Sequence, residues 1–136
     1  MTANGVRQVI VVDDNVDQGR PLALILRRCG YDARFVASGE AALSLLEQET
    51  PGLLILDLMM PGMSGIDVLR RVRADPRTSD VPVVIYSACS DEKEMDRARR
   101  EGADDYWVKV ALQLDEIRNR VGRFFGGAEA TAPRLH

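Results

Sequence analysis

Short apolar runs recur along this chain at intervals that leave room for one helix between each pair of runs. The runs from Val9 to Val12 and from Leu53 to Leu56 contain no polar residue, which is typical of strands buried on both faces in the middle of a parallel sheet. Together with the other apolar stretches, they predict a strand at each of five places. These strands are expected at about residues 7–12, 32–36, 53–56, 81–86 and 104–108.

The segments between these strands repeat their apolar residues at the spacing of amphipathic helices. Pro21 cannot donate a backbone hydrogen bond, so the first helix must begin after Asn15 or bend near Pro21. The alternation of strands and helices indicates an α/β fold, a doubly wound five-stranded parallel sheet with helices on both faces. The first predicted helix ends at Gly30, and the second begins after Ser38, which is its N-cap. The other three predicted helices cover about residues 64–74, 91–101 and 111–125.

The length of 136 residues fits a single domain, which we expect to cover residues 6–125. Residues 126–136 lack apolar periodicity and are expected to form a disordered tail. Because no apolar run approaches the ~20 residues that cross a bilayer and the first residues show no signal-peptide order, we expect a cytoplasmic protein. In that compartment Cys29 and Cys89 would be reduced thiols.

Eighteen basic and twenty-one acidic residues give a net charge of −3, which argues against a nucleic-acid surface as the main function. The arginines are nevertheless unevenly distributed. We interpret their two clusters as solvated helix faces. The clusters are Arg70, Arg71, Arg73 and Arg77, and then Arg97, Arg99 and Arg100.

Acidic residues follow two of the buried strands directly. Asp13 and Asp14 come after the first strand, and Asp57 comes after the third. If these strands are neighbours, the carboxylates meet at the carboxyl edge of the sheet, where open α/β folds bind their ligands. Clustered like charges need raised pKa values or a bound cation, and a hard ion such as Mg²⁺ prefers oxygen ligands. The pattern predicts a magnesium site.

The last two strands add groups that suit a phosphoryl ligand. Ser87 directly follows the fourth predicted strand, and Lys109 follows the fifth. An ammonium and a metal counter phosphoryl charge, a hydroxyl donates a hydrogen bond, and a carboxylate can be the nucleophile. Each residue alone has an ordinary explanation as a helix cap, a turn residue or a surface lysine, so the interpretation depends on their joint placement at strand ends.

These motifs, in this order, closely resemble the response regulator receiver domain of two-component signalling, the family of the chemotaxis regulators. The resemblance covers about residues 6–125 and implies a flavodoxin-like sheet in the order 2-1-3-4-5. It is carried by Asp13-Asp14, by Asp57 in the segment Asp57-Leu58-Met59-Met60-Pro61-Gly62, by Ser87-Ala88, and by Tyr106 with Lys109.

The resemblance implies a role for each matched residue. Asp57 would be the phosphoacceptor, and Lys109 would pair first with Asp57 and then with the phosphoryl oxygens. Ser87 would be the switch hydroxyl and Tyr106 the switch aromatic, which turns inward after phosphorylation. The Mg²⁺ ligands would be Asp13, Asp14, Asp57 and the Met59 backbone carbonyl.

The implied phosphodonor is a sensor histidine kinase or a phosphotransfer protein. The downstream partner would be a target protein or an output domain not encoded in these residues. We expect this chain itself to contact neither nucleic acid nor a membrane directly. The chain would not be an enzyme beyond Mg-assisted self-phosphorylation from a phosphodonor and self-dephosphorylation. Homodimerisation through the last helices is also implied, and we expect Phe125 to be exposed for it.

One residue departs from the family pattern. Val110 follows Lys109 where the family usually has proline, so we predict a trans peptide bond there.

Three other functions need consideration. A flavin carrier would need a phosphate-binding loop rich in Ser, Thr or Gly after the first strand, where this chain has Asp13-Asp14-Asn15. A dehalogenase-like phosphatase would need a second Asp two residues after the nucleophile, where this chain has Met59. The main alternative is a receiver-like interaction module that is never phosphorylated.

Overall fold

The computed structural model describes residues 7–109 and 114–125. Strands and helices alternate along the whole of this region, as the apolar pattern predicts. The strands are β1 (Gln8–Val12), β2 (Asp32–Val36), β3 (Leu53–Leu56), β4 (Val83–Ser87) and β5 (Asp105–Val108). The helices are α1 (Val16–Arg28), α2 (Gly39–Leu46), α3 (Gly65–Ala74), α4 (Glu92–Arg100) and α5 (Leu114–Phe124).

All the strands pair in parallel, and their order across the sheet is β2-β1-β3-β4-β5. This order confirms the doubly wound fold and makes β1 and β3 neighbours, with Val12 opposite Leu56. The residues that follow these two strands therefore lie side by side at the carboxyl edge of the sheet.

The sheet separates two apolar layers, because alternate residues of each strand point to opposite faces. Leu69 of α3 and Ala98 of α4 pack on the same face as Ile10 and Leu56. Leu26 of α1 and Ile117 of α5 pack on the other face. These side chains are completely or almost completely buried, so both faces of the sheet are covered.

The helix caps explain most of the element boundaries. Asn15 accepts a hydrogen bond from Asp17 N and begins α1, which continues through Pro21. Ser38 caps α2 as predicted. At α3, Ser64 and Asp67 form a reciprocal capping box, whereas Asp91 caps α4 through Lys93 N.

The fourth strand is shifted along the chain relative to the predicted range. It begins at Val83 because Pro82 has no N–H to donate to the sheet, although the Pro82 carbonyl still accepts from Leu54 N at 2.9 Å. It extends to Ser87, which is opposite Val108. The hydroxyl expected after the strand is therefore part of the strand.

Arg73 corrects the interpretation of the first arginine cluster as a solvated face. Its guanidinium donates to the carbonyl oxygens of Gly102, Ser79 and Val81 at 2.7–3.0 Å and pairs with Asp104 at 3.0 Å. Gly102 has a φ of 111°, and a Cβ there would lie 2.9 Å from Arg73 Nε, so glycine permits both the turn and the contact. Arg73 thus connects α3 to the segments that precede β4 and β5.

Phe125 is also placed differently from expectation. Its ring is half-buried and lies 5.2 Å from the ring of Tyr31, so it is not a free apolar surface.

Two predictions concern residues outside the described ranges, namely the tail at 126–136 and the trans peptide bond between Lys109 and Val110. Within the described ranges, no helix is both long and apolar enough to cross a membrane.

Candidate functional site

The ends of β1 and β3 bring the predicted acidic residues together. Asp57 N donates to Val12 O at 2.9 Å, which fixes the start of the loop after β3 beside the end of β1. One carboxylate oxygen from each of Asp13, Asp14 and Asp57 can be chosen so that all three lie within 4.8 Å of one another. The structure thus places the three predicted acids in one cluster.

The members of this acidic cluster differ in exposure. Asp13 and Asp57 are buried, with 2% and 6% of their surface exposed, whereas Asp14 is exposed. Asp13 also accepts a hydrogen bond from Asn15 N at 2.9 Å, which ties it to the start of α1. The cluster therefore has two acids in the protein interior and one facing solvent.

Lys109 reaches the cluster from the end of β5. Its Nζ lies 2.8 Å from Asp13 Oδ2 and 3.5 Å from Asp57 Oδ2. It also donates to Gln18 Oε1 at 2.6 Å and lies 5.5 Å from the centre of the Tyr86 ring. Lys109 is thus within reach of Asp57 as expected, but its shorter contacts are with Asp13 and Gln18.

Burial raises the pKa of the Asp57 carboxyl to about 6, the nearby Asp13 acts in the same direction, and Lys109 opposes the rise. Burial disfavours the ionised carboxylate, and a second negative charge adds to that cost. One lysine therefore does not fully compensate the charge of this cluster.

The residues fit a hard divalent cation. Three carboxylates at this spacing offer the oxygen ligands that Mg²⁺ prefers, while the exposed Asp14 leaves room for the water molecules that Mg²⁺ retains. A bound cation would also offset the repulsion that raises the Asp57 pKa. The charge of the cluster and the type of its ligand atoms therefore both suit a divalent cation.

The loop after Asp57 is held close to its carboxylate. Met59 N donates to Asp57 Oδ1 at 3.3 Å, which places the Met59 backbone beside the acid, while 65% of the Met59 surface is exposed. Gly65, the first residue of α3, packs on the same loop. A Cβ at Gly65 would lie 2.2 Å from Asp57 O, so a residue without a side chain allows this approach.

Ser87 and Tyr106 form a second polar contact at the same edge of the sheet. Ser87 is 1% exposed and accepts from Cys89 N at 3.2 Å, and the Tyr106 hydroxyl donates to Cys89 O at 2.7 Å. Burial raises the pKa of Tyr106 to about 12, and a hydrogen bond with Ser87 partly opposes the rise. Tyr106 is only 5% exposed, so its ring is already inward.

Two residues of the site were missed by the sequence reasoning. Gln18 comes from the first turns of α1, one helical turn beyond the Asp13-Asp14 pair, so the helical periodicity after Asn15 could have placed it at this edge. Tyr86 precedes Ser87 on β4, and its position next to a predicted site residue was its only signal.

Comparison with known proteins agrees with this geometry. Residues 9–122 match the family model for the response regulator receiver domain. The DNA-binding response regulator MtrA of Mycolicibacterium paratuberculosis is 40% identical over 103 residues, which cover 76% of this chain and 44% of that protein. The chain thus spans less than half the length of this curated relative.

Solved structures give the same result. A protein described as a response regulator of Chloroflexus aurantiacus has a TM-score of 0.82 at 32% identity, covering 88% of this chain and 98% of that one. The signal receiver domain of a histidine kinase from Syntrophus aciditrophicus has a TM-score of 0.80 at 27% identity, covering 95% and 96%. With the matched family model, these similarities show that the chain belongs to the response regulator receiver family.

Proposed function

We propose that this chain is a phosphoacceptor receiver that takes a phosphoryl group on Asp57 in a Mg²⁺-dependent reaction. The supporting observation is the convergence of three carboxylates within 4.8 Å, with the Lys109 ammonium 3.5 Å from Asp57. An ammonium beside clustered acids can offset the negative charge of an incoming phosphoryl group. The phosphodonor would be a phosphohistidine on a sensor kinase or a phosphotransfer protein.

In the proposed reaction, an Asp57 carboxylate oxygen attacks phosphorus while the bond from phosphorus to the histidine nitrogen breaks. Lys109 and the backbone N–H groups near Met59 counter the charge on the phosphoryl oxygens. Asp13, Asp14 and Asp57, together with the Met59 carbonyl, would hold Mg²⁺. When bound, this ion would neutralise phosphoryl charge and orient the oxygens for in-line transfer.

The response to phosphorylation would be a shift in the surface formed by α4, β5 and α5. Ala98 is the one residue of α4 that is fully buried, so the apolar anchoring of this helix is slight. The resemblance implied that Tyr106 turns inward after phosphorylation, yet its ring is buried in this structure. We therefore propose that phosphorylation changes the population of the inward ring, with Ser87 moving toward the phosphoryl group.

The partners follow from this role. We propose a cytoplasmic protein that receives phosphate from a histidine kinase system and passes the signal to a target protein or to an attached output domain. MtrA is named as a DNA-binding response regulator, but the chain covers less than half of it, so DNA binding is not part of the proposal. Dimerisation through α5 would have to use surface other than the half-buried Phe125.

Intact mass spectrometry after incubation with acetyl phosphate and Mg²⁺ tests the proposal. The native chain should gain the mass of one phosphoryl group, EDTA should prevent the gain, and Asp57→Asn should gain nothing. Asp80→Asn, which changes an exposed acid in the loop before β4, is the matched control and should react like the native chain. A native chain that stays unmodified with both acetyl phosphate and a phosphorylated histidine donor would favour the interaction-module alternative.

A further inference from the structure

The Lys109 ammonium lies in a small enclosure that the proposed reaction does not by itself require. We call this enclosure the lysine cradle; it consists of Asp13, Gln18 and the ring of Tyr86. Only 9% of the Lys109 side chain is exposed. Its two short hydrogen bonds, to Asp13 at 2.8 Å and to Gln18 at 2.6 Å, are both shorter than its distance of 3.5 Å to Asp57.

The lysine cradle depends on a close approach of α1 to the end of β1. Gly19 makes that approach possible, because a Cβ there would lie 2.3 Å from Phe35 Cε1 and 3.1 Å from Asp13 Cβ. Asn15 fixes the start of the helix by accepting from Asp17 N and by donating its own N–H to Asp13. Gln18 is the neighbour of Gly19, so its amide is carried to the edge of the sheet.

The contacts of Lys109 set up a competition between acceptors. An ammonium has three donors, and in this structure a neutral amide oxygen takes one of them more closely than the Asp57 carboxylate does. Phosphoryl oxygens on Asp57 would be stronger acceptors than the Gln18 amide, because hydrogen bonds between two charged groups are stronger than those with one neutral partner. A phosphoryl group on Asp57 would therefore draw Lys109 toward it and lengthen the bond from Lys109 to Gln18, which is 2.6 Å in this structure.

We propose that Gln18 is a positioning residue that holds Lys109 in a resting place beside Asp13, and so weakens the engagement of a phosphoryl group on Asp57. This inference rests on the proposed function. It extends that function by giving α1 a part in setting how tightly the site engages a phosphoryl group on Asp57. The exposed Gln18 side chain has room for substitution without disturbing the core.

The test measures the affinity for beryllofluoride, a tetrahedral phosphoryl mimic, at a saturating concentration of Mg²⁺. Trp107 is the only tryptophan of the chain, is 1% exposed and lies opposite Tyr86 in the sheet, so its fluorescence is a suitable signal. Gln18→Met removes the acceptor and keeps the length, and should tighten binding about 3- to 10-fold. Gln18→Glu strengthens the hold on Lys109 and should weaken binding by a similar factor.

The opposite signs separate positioning from a general structural role, which would weaken binding in both variants. Gln48→Met, an exposed substitution after α2, is the control and should bind like the native chain. If the native chain fails to bind beryllofluoride, the proposed function and this inference fall together. If it binds and Asp57→Asn does not, while Gln18→Met binds no more tightly or both Gln18 variants shift in the same direction, only the inference is overturned.

Discussion

At the scale of single residues, the acidic cluster holds buried negative charge that Lys109 only partly compensates. Asp57 is buried beside Asp13, and the Lys109 ammonium, which is close to both acids, lies nearer to Asp13. The strand-end positions of the acids were predictable from the sequence, because carboxyl ends of neighbouring parallel strands meet. The preference of Lys109 for Asp13 and Gln18 was not predictable, since it depends on how closely α1 approaches the sheet.

A raised Asp57 pKa makes the stability of the metal-free protein depend on pH. The folded-state pKa of about 6 exceeds the ordinary value of 3.8, so this carboxyl contributes stability that is fully present below about pH 4 and is lost as the pH rises through 6. A shift of two units corresponds to at most about 3 kcal/mol, and partial solvation reduces it. Asp57→Asn should therefore be more stable than the native chain by about 1–2 kcal/mol at pH 8, with no difference near pH 4.

Urea unfolding in EDTA at several pH values measures this difference. The comparison between variant and native chain removes the contributions of the other titrating groups. Asp80→Asn, at an exposed position, should show no such pH dependence. A variant that is less stable than the native chain at pH 8 would mean that the Asp57 charge is well compensated in the folded state.

At the scale of elements, two contacts between helices and loops shape the site and its surroundings. Gly65 brings α3 onto the loop after Asp57, and Arg73 connects the same helix to the segments before β4 and β5. The periodicity of apolar residues predicted the helices, because burial of one face is what stabilises them. It could not distinguish Arg73 from Arg71, since spacing says nothing about which arginine finds backbone carbonyls.

Gly65→Ala should displace the loop that carries Asp57. A Cβ 2.2 Å from Asp57 O and 2.8 Å from Leu58 Cα cannot be accommodated without moving the backbone. We expect a loss of about 1–3 kcal/mol in the free energy of unfolding, together with weaker Mg²⁺ binding. Chemical denaturation and Mg²⁺ titration measure the two effects, and Ser44→Ala at an exposed position in α2 should leave both unchanged. Equal Mg²⁺ affinity in Gly65→Ala and the native chain would contradict the expectation.

Arg73→Met should destabilise the fold because three backbone carbonyls lose their charged donor. The expected cost is about 2–4 kcal/mol, typical of a broken hydrogen-bond network that is partly buried. Arg71→Met, on the same helix but at an exposed position, is the matched control and should change stability by no more than about 0.5 kcal/mol. Similar urea midpoints for both variants would show that Arg73 is only a surface residue.

At the scale of the whole molecule, the chain topology decides where the acidic edge lies. The fold class, the strand order and the meeting of the three acids agree with what the sequence and its family resemblance predicted, because each depends on strand patterning and chain topology. The inward Tyr106 and the half-buried Phe125 differed from expectation, since both depend on side-chain packing between elements that are distant in sequence.

Mg²⁺ should stabilise the whole domain by binding only the folded state. At a concentration 100 times the dissociation constant, the gain is about 2.7 kcal/mol, which should appear as a higher melting temperature that EDTA reverses. Asp14→Asn should abolish the rise with little effect on the metal-free protein, because Asp14 is exposed. A rise of the same size in Asp14→Asn would exclude this residue as a ligand.

The contact between the tilted rings of Phe125 and Tyr31 has a practical consequence for tethering the molecule. Tyr31 directly precedes β2, so this contact lies at the amino-terminal edge of the sheet, opposite the edge that carries Asp57. A strand of five residues separates the two edges by roughly 15 Å. A surface linker joined directly after Phe125 would start from that far edge, so immobilised protein should present its acidic edge unobstructed to a phosphodonor.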